Sequence, residues 1–436
     1  MSLNSTPSGE RTHIGIFGKR NAGKSSVINA ITDQNIAIVS DVKGTTTDPV
    51  KKAMELLPLG PVMIIDTPGI DDIGELGELR VKKGLQVLNK TDIAVMVTSL
   101  EDEEESESAA LFSEMAKEKG YACPYEKHGL SSHECFLIER FKEKKLPFVV
   151  VVNKSDTFDG ERKKRAEALV EDLNKTEGRQ CAIIVSAANK TNIFELKEMI
   201  AASKPDTQAP FPICGDLLER GDIVVLVIPI DKAAPKGRLI LPQQQTIRDI
   251  LDHNATALVV QDDQLAETIE KFGKNIRLVV TDSQVFFKVK DIVPEDIELT
   301  SFSILISRHK GTLRPQYDGA RAIENLKDGD KVLIAEGCSH HRTCEDIGTV
   351  KLPNLIRKYT GKDIKIETSS GTEYPDNLED YALIFHCGGC TLNEKEMQYR
   401  IKCAQDAKVP ITNYGISIAY MRGIMERSMR PLGDKY

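Results

Sequence analysis

From His13 to about Lys204, short runs of β-branched and aliphatic residues alternate with segments of helical period. The runs are His13–Phe17, Val62–Ile65, Ile93–Val97, Phe148–Val152 and Ala182–Val185. Strands alternating with helices predict a parallel sheet covered by helices. Ser203–Pro212 is polar and proline-containing and reads as a joint. After it, strands are expected at Ile223–Ile228, Ala257–Val260 and Ile276–Val280, with helices over Gln243–His253 and Leu265–Phe272. This βαβαβ unit has no phosphate loop and no clustered titratable groups, so its expected role is packing or dimerisation. From about Ser301 onward, Lys331–Ala335, Ile364–Glu367, Tyr381–Phe385 and Val409–Thr412 predict further parallel strands with helices between them. The pattern gives three α/β units, at residues 1–204, 213–300 and 301–436.

The first unit carries extra length between Ser99 and Lys145. Glu101–Glu107 is a charge run of the solvated kind. Behind it comes Cys123-x4-His128-x4-His133-x-Cys135. Two Cys and two His this close can grip zinc, but the spacing is not that of a standard finger. A loop with incidental thiols is the preferred reading.

Composition narrows the function classes. At ~150 residues per domain, a chain of 436 residues fits three units. Lys plus Arg is 58 and Asp plus Glu is 66, a net charge of −8. That balance argues against a broad nucleic-acid clamp, which needs a basic face. Trp is absent and aromatics are 5%, which argues against a base-stacking surface. The first residues are polar, and no apolar stretch reaches the ~18–20 residues of a membrane span. A cytoplasmic chain is expected, with its nine cysteines reduced, metal-bound or inert rather than disulfide-paired.

Candidate chemistry begins at Gly18-Lys-Arg-Asn-Ala-Gly-Lys-Ser25, which fits G-x-x-x-x-G-K-[ST] between a strand and a helix. Gly18, Asn21, Ala22, Gly23, Lys24, Ser25 and Ser26 would wrap the phosphates with backbone N–H groups. Lys24 would reach the outer phosphates and Ser25 would ligate Mg²⁺. Asp66-Thr-Pro-Gly69 follows the next strand. Asp66 can hold Mg²⁺ through water, and the Gly69 N–H can sense the γ-phosphate. Between them, Gly44-Thr-Thr-Thr-Asp48 supplies a hydroxyl to the same metal, assigned to Thr46. Asn153-Lys154-Ser-Asp156 follows a buried strand. The Asp156 carboxylate can accept from both N1–H and the 2-amino group of guanine, a donor pair adenine lacks. Ser186-Ala187-Ala188 matches a backbone site for the guanine carbonyl. Together these specify GTP rather than ATP.

The other constellation is in the third unit. Cys338-Ser-His340 follows one expected strand, and His386-Cys387-Gly-Gly-Cys390 follows another. Both therefore fall at the carboxyl ends of parallel strands, where open α/β sheets bind ligands. Glycines permit a tight turn and expose N–H groups to sulfur, and a helix begins near Asn393, which stabilises thiolates. On spacing alone, an Fe–S cluster and zinc are near even, with a Cys-x-x-Cys redox pair as a third choice.

The nucleotide motifs, each after a strand and in this order, resemble those of translation-factor-related GTPases near the MnmE and Era branch. Ile70 stands where Ras-like enzymes place a water-orienting Gln, so the resemblance implies slow intrinsic hydrolysis. Asn21 stands where MnmE-like members bind potassium, which implies K⁺ stimulation; simple loop capping by Asn21 is the alternative. With a small middle unit and C-x-H…H-C-x-x-C behind it, the chain is similar to the [FeFe]-hydrogenase maturation GTPases, the HydF family. The similarity runs over essentially the whole chain, including Gly44–Pro49 and Arg238–Gln243. It implies a [4Fe–4S] cluster on Cys338, Cys387 and Cys390, with one iron position open. His340 or His386 could occupy that position weakly. Cys344 is a further candidate, better read as a plain helix cysteine. The resemblance also implies a transient diiron precursor received from the radical-SAM maturases HydE and HydG and passed to apo-[FeFe]-hydrogenase. It further implies a homodimer through the middle unit, while the acidic balance and the lack of a membrane-length apolar run leave no nucleic acid and no membrane among the expected partners. The alternative is an MnmE- or Era-like GTPase acting on RNA or ribosomes, with a structural zinc site. Cys181, Cys214, His341 and Cys403 belong to no constellation and are expected to be structural.

Overall fold

The computed structural model describes residues 8–33, 50–67, 86–100, 124–204, 211–230, 239–337, 347–371, 374–375, 377–389 and 392–435. The chain forms two compact units, Met1–Asp206 and Thr207–Tyr436.

In the first unit the described elements run β1 (Thr12–Phe17), α1 (Lys24–Thr32), β2 (Val50–Leu56), β3 (Gly60–Asp66), β4 (Ile93–Thr98), α2 (Ser132–Glu143), β5 (Phe148–Val152), α3 (Gly160–Glu177), β6 (Ala182–Ile184) and α4 (Ile193–Ala202). The sheet order is β2-β3-β1-β4-β5-β6. β2 lies antiparallel on β3, and the other pairs are parallel. Successive residues of a strand point to opposite faces, and here both faces are buried. Met96, Phe148, Val150 and Val152 pack under α2 and α3, whereas Val95, Val97, Val149 and Val151 pack with Val27 and Leu196 of α1 and α4. This explains why the strand runs are apolar throughout.

The segment read as an insertion is corrected in part. Ser132–Glu143 is a core helix that buries Phe136, Leu137, Ile138 and Phe141. Ser131 and Glu134 close a capping box at its start: Glu134 N donates to Ser131 Oγ and Ser131 N donates to Glu134 Oε2 at 3.0 Å. Among the described residues, His128, His133 and Cys135 form no group poised for a metal. His128 Nε2 bonds Asp172 Oδ2 at 3.0 Å, and His133 is buried beside the phosphate loop. Cys135 is joined in a disulfide, against the expectation of unpaired thiols. The cysteine-count argument speaks for a chain on average, and one pair brought together by folding escapes it. The acidic run and Cys123 lie outside the described residues.

The second unit holds two four-stranded parallel sheets. One has the order β10-β9-β7-β8, built from β7 (Ile223–Val227), β8 (Thr256–Val260), β9 (Ile276–Thr281) and β10 (Glu298–Ser301). The other has the order β12-β11-β13-β14, built from β11 (Lys331–Ala335), β12 (Lys365–Ser369), β13 (Leu383–His386) and β14 (Ile411–Asn413). Helices α5 (Leu241–Asp252), α6 (Leu265–Phe272) and α7 (Phe286–Ile292) accompany the first sheet. They are followed by α8 (Phe302–His309), α9 (Leu313–Ala320), α10 (Leu352–Thr360), α11 (Glu394–Asp406), α12 (Tyr414–Met421) and α13 (Met425–Met429). One apolar core joins Leu226 and Val280 of the first sheet to Phe302, Leu305, Tyr317, Ile416 and Met425. The two C-terminal units expected from the sequence therefore share a core. β10 belongs to the first sheet and α8 follows it without a linker.

Arg308 anchors this core at 0% side-chain exposure. Its guanidinium donates to Asp216 Oδ1 and Oδ2 at 2.9 and 2.6 Å and to the Lys435 carbonyl at 2.8 Å, and it stacks on Phe211. Burial alone would raise the Asp216 carboxyl, but Arg308 overrides it and holds the group below its ordinary value. Removing one partner of such a pair costs about 3–5 kcal/mol. Asp216 keeps some solvent and has Lys435 Nζ at 3.6 Å, so the lower end applies. Arg308→Met is expected to lower the urea midpoint of the full chain by about 3 kcal/mol equivalent. A folded pKa below the unfolded one stabilises above the unfolded value and is lost as pH falls. The wild-type advantage over the variant should therefore shrink on acidification below about pH 4. A gap independent of pH would remove Asp216 from the account.

Candidate functional sites: a phosphate loop and a cysteine turn

β1 ends at Phe17 and α1 starts at Lys24, and the loop between them wraps the head of the helix. Gly23 caps the helix at φ +90°, and a Cβ there would lie 2.3 Å from Asn153 Nδ2. Only glycine fits that conformation and that approach. Asn21 sits at the exposed crest with φ +62°. Lys24 Nζ donates to the carbonyls of Gly18 and Lys19 at 2.8 and 2.6 Å, so its ammonium lies across the mouth of the loop.

Parallel pairing brings Asp66, the last residue of β3, beside Ile16 at the end of β1. Its Oδ1 is buried without a hydrogen-bond partner. Burial pushes the Asp66 carboxyl up to about 6, partly opposed by Lys24. A desolvated carboxylate beside a phosphate loop suits a cation.

The motifs expected to read the base converge on the same rim. Asn153, buried at the end of β5, donates from Nδ2 to the Ala22 carbonyl at 3.1 Å and accepts from Ala187 N at 3.1 Å. One amide thereby ties the phosphate loop to the loop after β6. Lys154 turns the backbone with φ +63°, which brings Asp156 out to the surface. Ser186 Oγ donates to Asp156 Oδ1 at 2.5 Å and accepts from Asn189 N at 3.1 Å. The carboxylate is thus aimed by a buried hydroxyl and still reachable from solvent. Ser25, Ser26 and Ala188 are exposed at this rim. Asp156→Asn is expected to cut turnover of GTP by about 10³-fold and to gain turnover of xanthosine triphosphate, because an amide donates where the carboxylate accepts. Phosphate release measured with both nucleotides checks it, and unchanged GTP preference would place base reading elsewhere.

Two supporting residues escape the motifs. Glu134, buried at the start of α2, has Oε2 3.7 Å from Lys19 Nζ. His133 is buried next to it, and burial, with Lys19 and Lys24 nearby, holds its pKa near 3, so it is neutral. The Ser131-x-x-Glu134 capping box was the available sequence signal.

The second site lies in the sheet β12-β11-β13-β14. From β11 the chain goes to β12 on one side and then crosses to β13 on the other, so the strand order reverses between β11 and β13. Their carboxyl ends form a crevice of the kind that binds ligands. Cys387 sits at this point. Its N–H donates to the Ala335 carbonyl at 2.8 Å, and its Sγ accepts from Gly337 N at 3.1 Å and Gly389 N at 3.4 Å. Gly389 has φ +60°, and a Cβ there would lie 2.5 Å from Met397 Sδ. Lys310 Nζ donates to the Gly389 carbonyl at 2.8 Å. Asn393 caps α11, accepting from Glu396 N at 3.1 Å.

His386 is buried at the end of β13. Its Nδ1 lies 2.7 Å from the Cys387 carbonyl and its Nε2 lies 3.1 Å from Arg400 Nη1. Burial, with Arg400 beside it, lowers its pKa to about 3. Both nitrogens are engaged within the protein, so neither is free for iron in this arrangement.

Among the free cysteines, Cys181 and Cys214 are buried. Burial pushes the Cys181 thiol up to about 11 and the Cys214 thiol higher, which suits inert core thiols. Thr46, Gly69, Ile70, Cys338, His340, His341, Cys344 and Cys390 lie outside the described residues. No cluster of three or more His, Cys, Asp or Glu poised for a metal occurs among the described residues.

Comparison with known proteins finds matches over both stretches of chain. Residues 13–154 match the family model described as 50S ribosome-binding GTPase. Residues 213–311 match the hydrogen maturase F dimerization domain, and residues 314–431 match the hydrogen maturase F tetramerization domain. The chain belongs to the hydrogen maturase F family. Its nucleotide-binding part is shared more widely. GTPase Era of Heliobacterium modesticaldum is 28% identical over 202 residues, 46% of this chain and 57% of Era. The tRNA modification GTPase MnmE of Helicobacter acinonychis is 33% identical over 144 residues, 33% of this chain and 26% of MnmE. The chain thus spans from about a quarter to just over half the length of these relatives. Among solved structures, Aquifex aeolicus Era bound to GDP and aluminium fluoride is 18% identical, with a TM-score of 0.32, covering 60% of this chain and 98% of Era. No helix among the described residues is long and apolar enough to cross a membrane.

Proposed function

We propose that this protein is a GTP hydrolase and iron–sulfur scaffold of [FeFe]-hydrogenase maturation. It accepts a diiron precursor from the radical-SAM maturases HydE and HydG and delivers it to apo-[FeFe]-hydrogenase. The observation that carries this reading is the Cys387 sulfur, held by two amide N–H groups at the strand-reversal crevice of a maturase-family domain. Amide donors to sulfur favour the thiolate that binds iron. Cys338, Cys387 and Cys390 would hold a [4Fe–4S] cluster. When bound, the cluster supplies a redox-active iron with one position left for exchange.

For hydrolysis, the orphaned Asp66 oxygen fits Mg²⁺. Ser25, Thr46 and Asp66 would hold the ion, which neutralises charge on the β- and γ-phosphates when bound. Lys24 would exchange the Gly18 and Lys19 carbonyls for phosphate oxygens, and the Gly69 N–H would meet the γ-phosphate. Asn21, exposed at the crest of the loop, would hold K⁺. Replacing potassium by sodium is then expected to slow turnover several-fold, and equal rates would remove Asn21 from this role. A homodimer is supported by β8, the edge strand of its sheet, where Val259 is 48% exposed. A second copy covering this edge would pair its open backbone groups. We place the chain in the cytoplasm, where it needs neither nucleic acid nor membrane as a partner.

The deciding experiment reconstitutes the full chain anaerobically with iron and sulfide, loads a diiron precursor, and adds apo-hydrogenase. Hydrogen evolution is the expected result. Stoichiometric zinc with no iron uptake would sink the scaffold reading.

A further inference from the structure

Behind the cysteine turn lies a buried ionic group that the proposed function does not use. Arg400 of α11 has 0% side-chain exposure. Its Nε donates to Glu396 Oε1 at 2.9 Å, its Nη2 to the Gly371 carbonyl at 2.8 Å, and its Nη1 points at His386 Nε2 at 3.1 Å. The guanidinium also stacks on Tyr374, 5.0 Å from the ring centroid. It therefore joins α11, the end of β12 and the end of β13.

The chemistry of this contact fixes the imidazole. A guanidinium donates and never accepts. His386 Nε2 must then be the acceptor, so the ring is neutral and its proton is on Nδ1. The only arrangement consistent with both contacts is Nδ1–H donating to the Cys387 carbonyl at 2.7 Å. Each link is buried, so each is expensive to leave unmade.

We propose that Arg400 is a positioning residue for the cysteine turn: it holds His386 as a donor to the Cys387 carbonyl and withholds both imidazole nitrogens from iron. This rests on the cluster reading above. His386 thereby serves as a strut under the turn rather than as the fourth ligand, and the fourth iron position stays available to cargo.

The test uses the full chain grown with ¹⁵N-histidine and reconstituted with iron and sulfide. His386→Gln keeps an acceptor for Arg400 and a donor for the Cys387 carbonyl, whereas His386→Ala keeps neither. Arg400→Lys keeps the charge but loses the fork. Removal of iron by a chelator is expected to be about 10-fold faster or more in His386→Ala and Arg400→Lys, the range for an outer partner of a metal ligand. His386→Gln should match wild type in release rate and in the nitrogen couplings seen by pulsed EPR of the reduced cluster. A histidine coupling lost in His386→Gln would make His386 a ligand and overturn the proposal alone. Wild-type release rates in both Arg400→Lys and His386→Ala would also overturn it. Wild type that takes up no iron would overturn the cluster reading and this proposal together. If Arg400→Lys fails to fold, the His386→Ala and His386→Gln pair still decides.

Discussion

Lys24→Ala is expected to lower GTP turnover by about 10³-fold or more, the largest single effect at the nucleotide site. A positioned cation on a transferring phosphoryl group acts in a water-poor site, and losing one such donor costs about 10²–10³-fold. Here the same side chain also binds the phosphates in the ground state, so affinity should fall with turnover. Stability should fall by about 2 kcal/mol, less than the loss of turnover corresponds to. Lys24 is half-buried, and the bonds it loses are to the carbonyls of Gly18 and Lys19. Solvated bonds of this kind contribute about 1 kcal/mol each. Asn153 still ties Ala22 to Ala187, so the loop keeps its anchor. Phosphate release over a GTP titration, with urea unfolding in parallel, separates the two effects. Near-normal turnover with normal folding would mean that hydrolysis takes place elsewhere.

What the sequence revealed follows from the range of the interactions involved. Strands buried on both faces are uninterrupted apolar runs, so β1, β4, β5, β7 and β11 are legible within a residue or so. β2 is not. It is an antiparallel edge strand whose Lys51, Met54 and Glu55 read as a polar or helical stretch, and only pairing with β3 makes it a strand. The shared core of the second unit is also hidden, because it gathers residues as far apart in the chain as Leu226 and Ile416. At the sites, backbone-dictated motifs are local and can be read directly, as with Gly23 and the Cys387 turn. Their supports are not local. Arg400 sits four residues after Glu396 on a helix rich in charge, which reads as a solvated ion pair. Only tertiary closure makes that pair buried and turns it toward His386. His386 itself was a reasonable ligand by spacing, because the contact that occupies its second nitrogen comes from α11.

Cys387→Ser is expected to abolish or severely diminish the EPR signal of a reduced [4Fe–4S] cluster in anaerobically reconstituted protein. The substitution is nearly isosteric, and the N–H groups of Gly337 and Gly389 that face the sulfur can donate to a hydroxyl instead. The Cys387 N–H keeps its bond to the Ala335 carbonyl. The turn should therefore survive, and the stability change should stay within about 1 kcal/mol. What is lost is the ligand. A serine hydroxyl is a harder donor that resists deprotonation near neutral pH, so it competes poorly with thiolate for iron. With one of three proposed ligands weakened, iron bound per chain should fall well below wild type. GTP turnover is the internal control, because the nucleotide site lies in Met1–Asp206 and Cys387 in Thr207–Tyr436. Effects at separate sites usually combine independently, so turnover should stay within about twofold of wild type. Loss of both activities with normal unfolding would instead reveal coupling between cluster and nucleotide. A full cluster signal in the variant would remove Cys387 from the ligand set, and with it the observation on which the scaffold function rests.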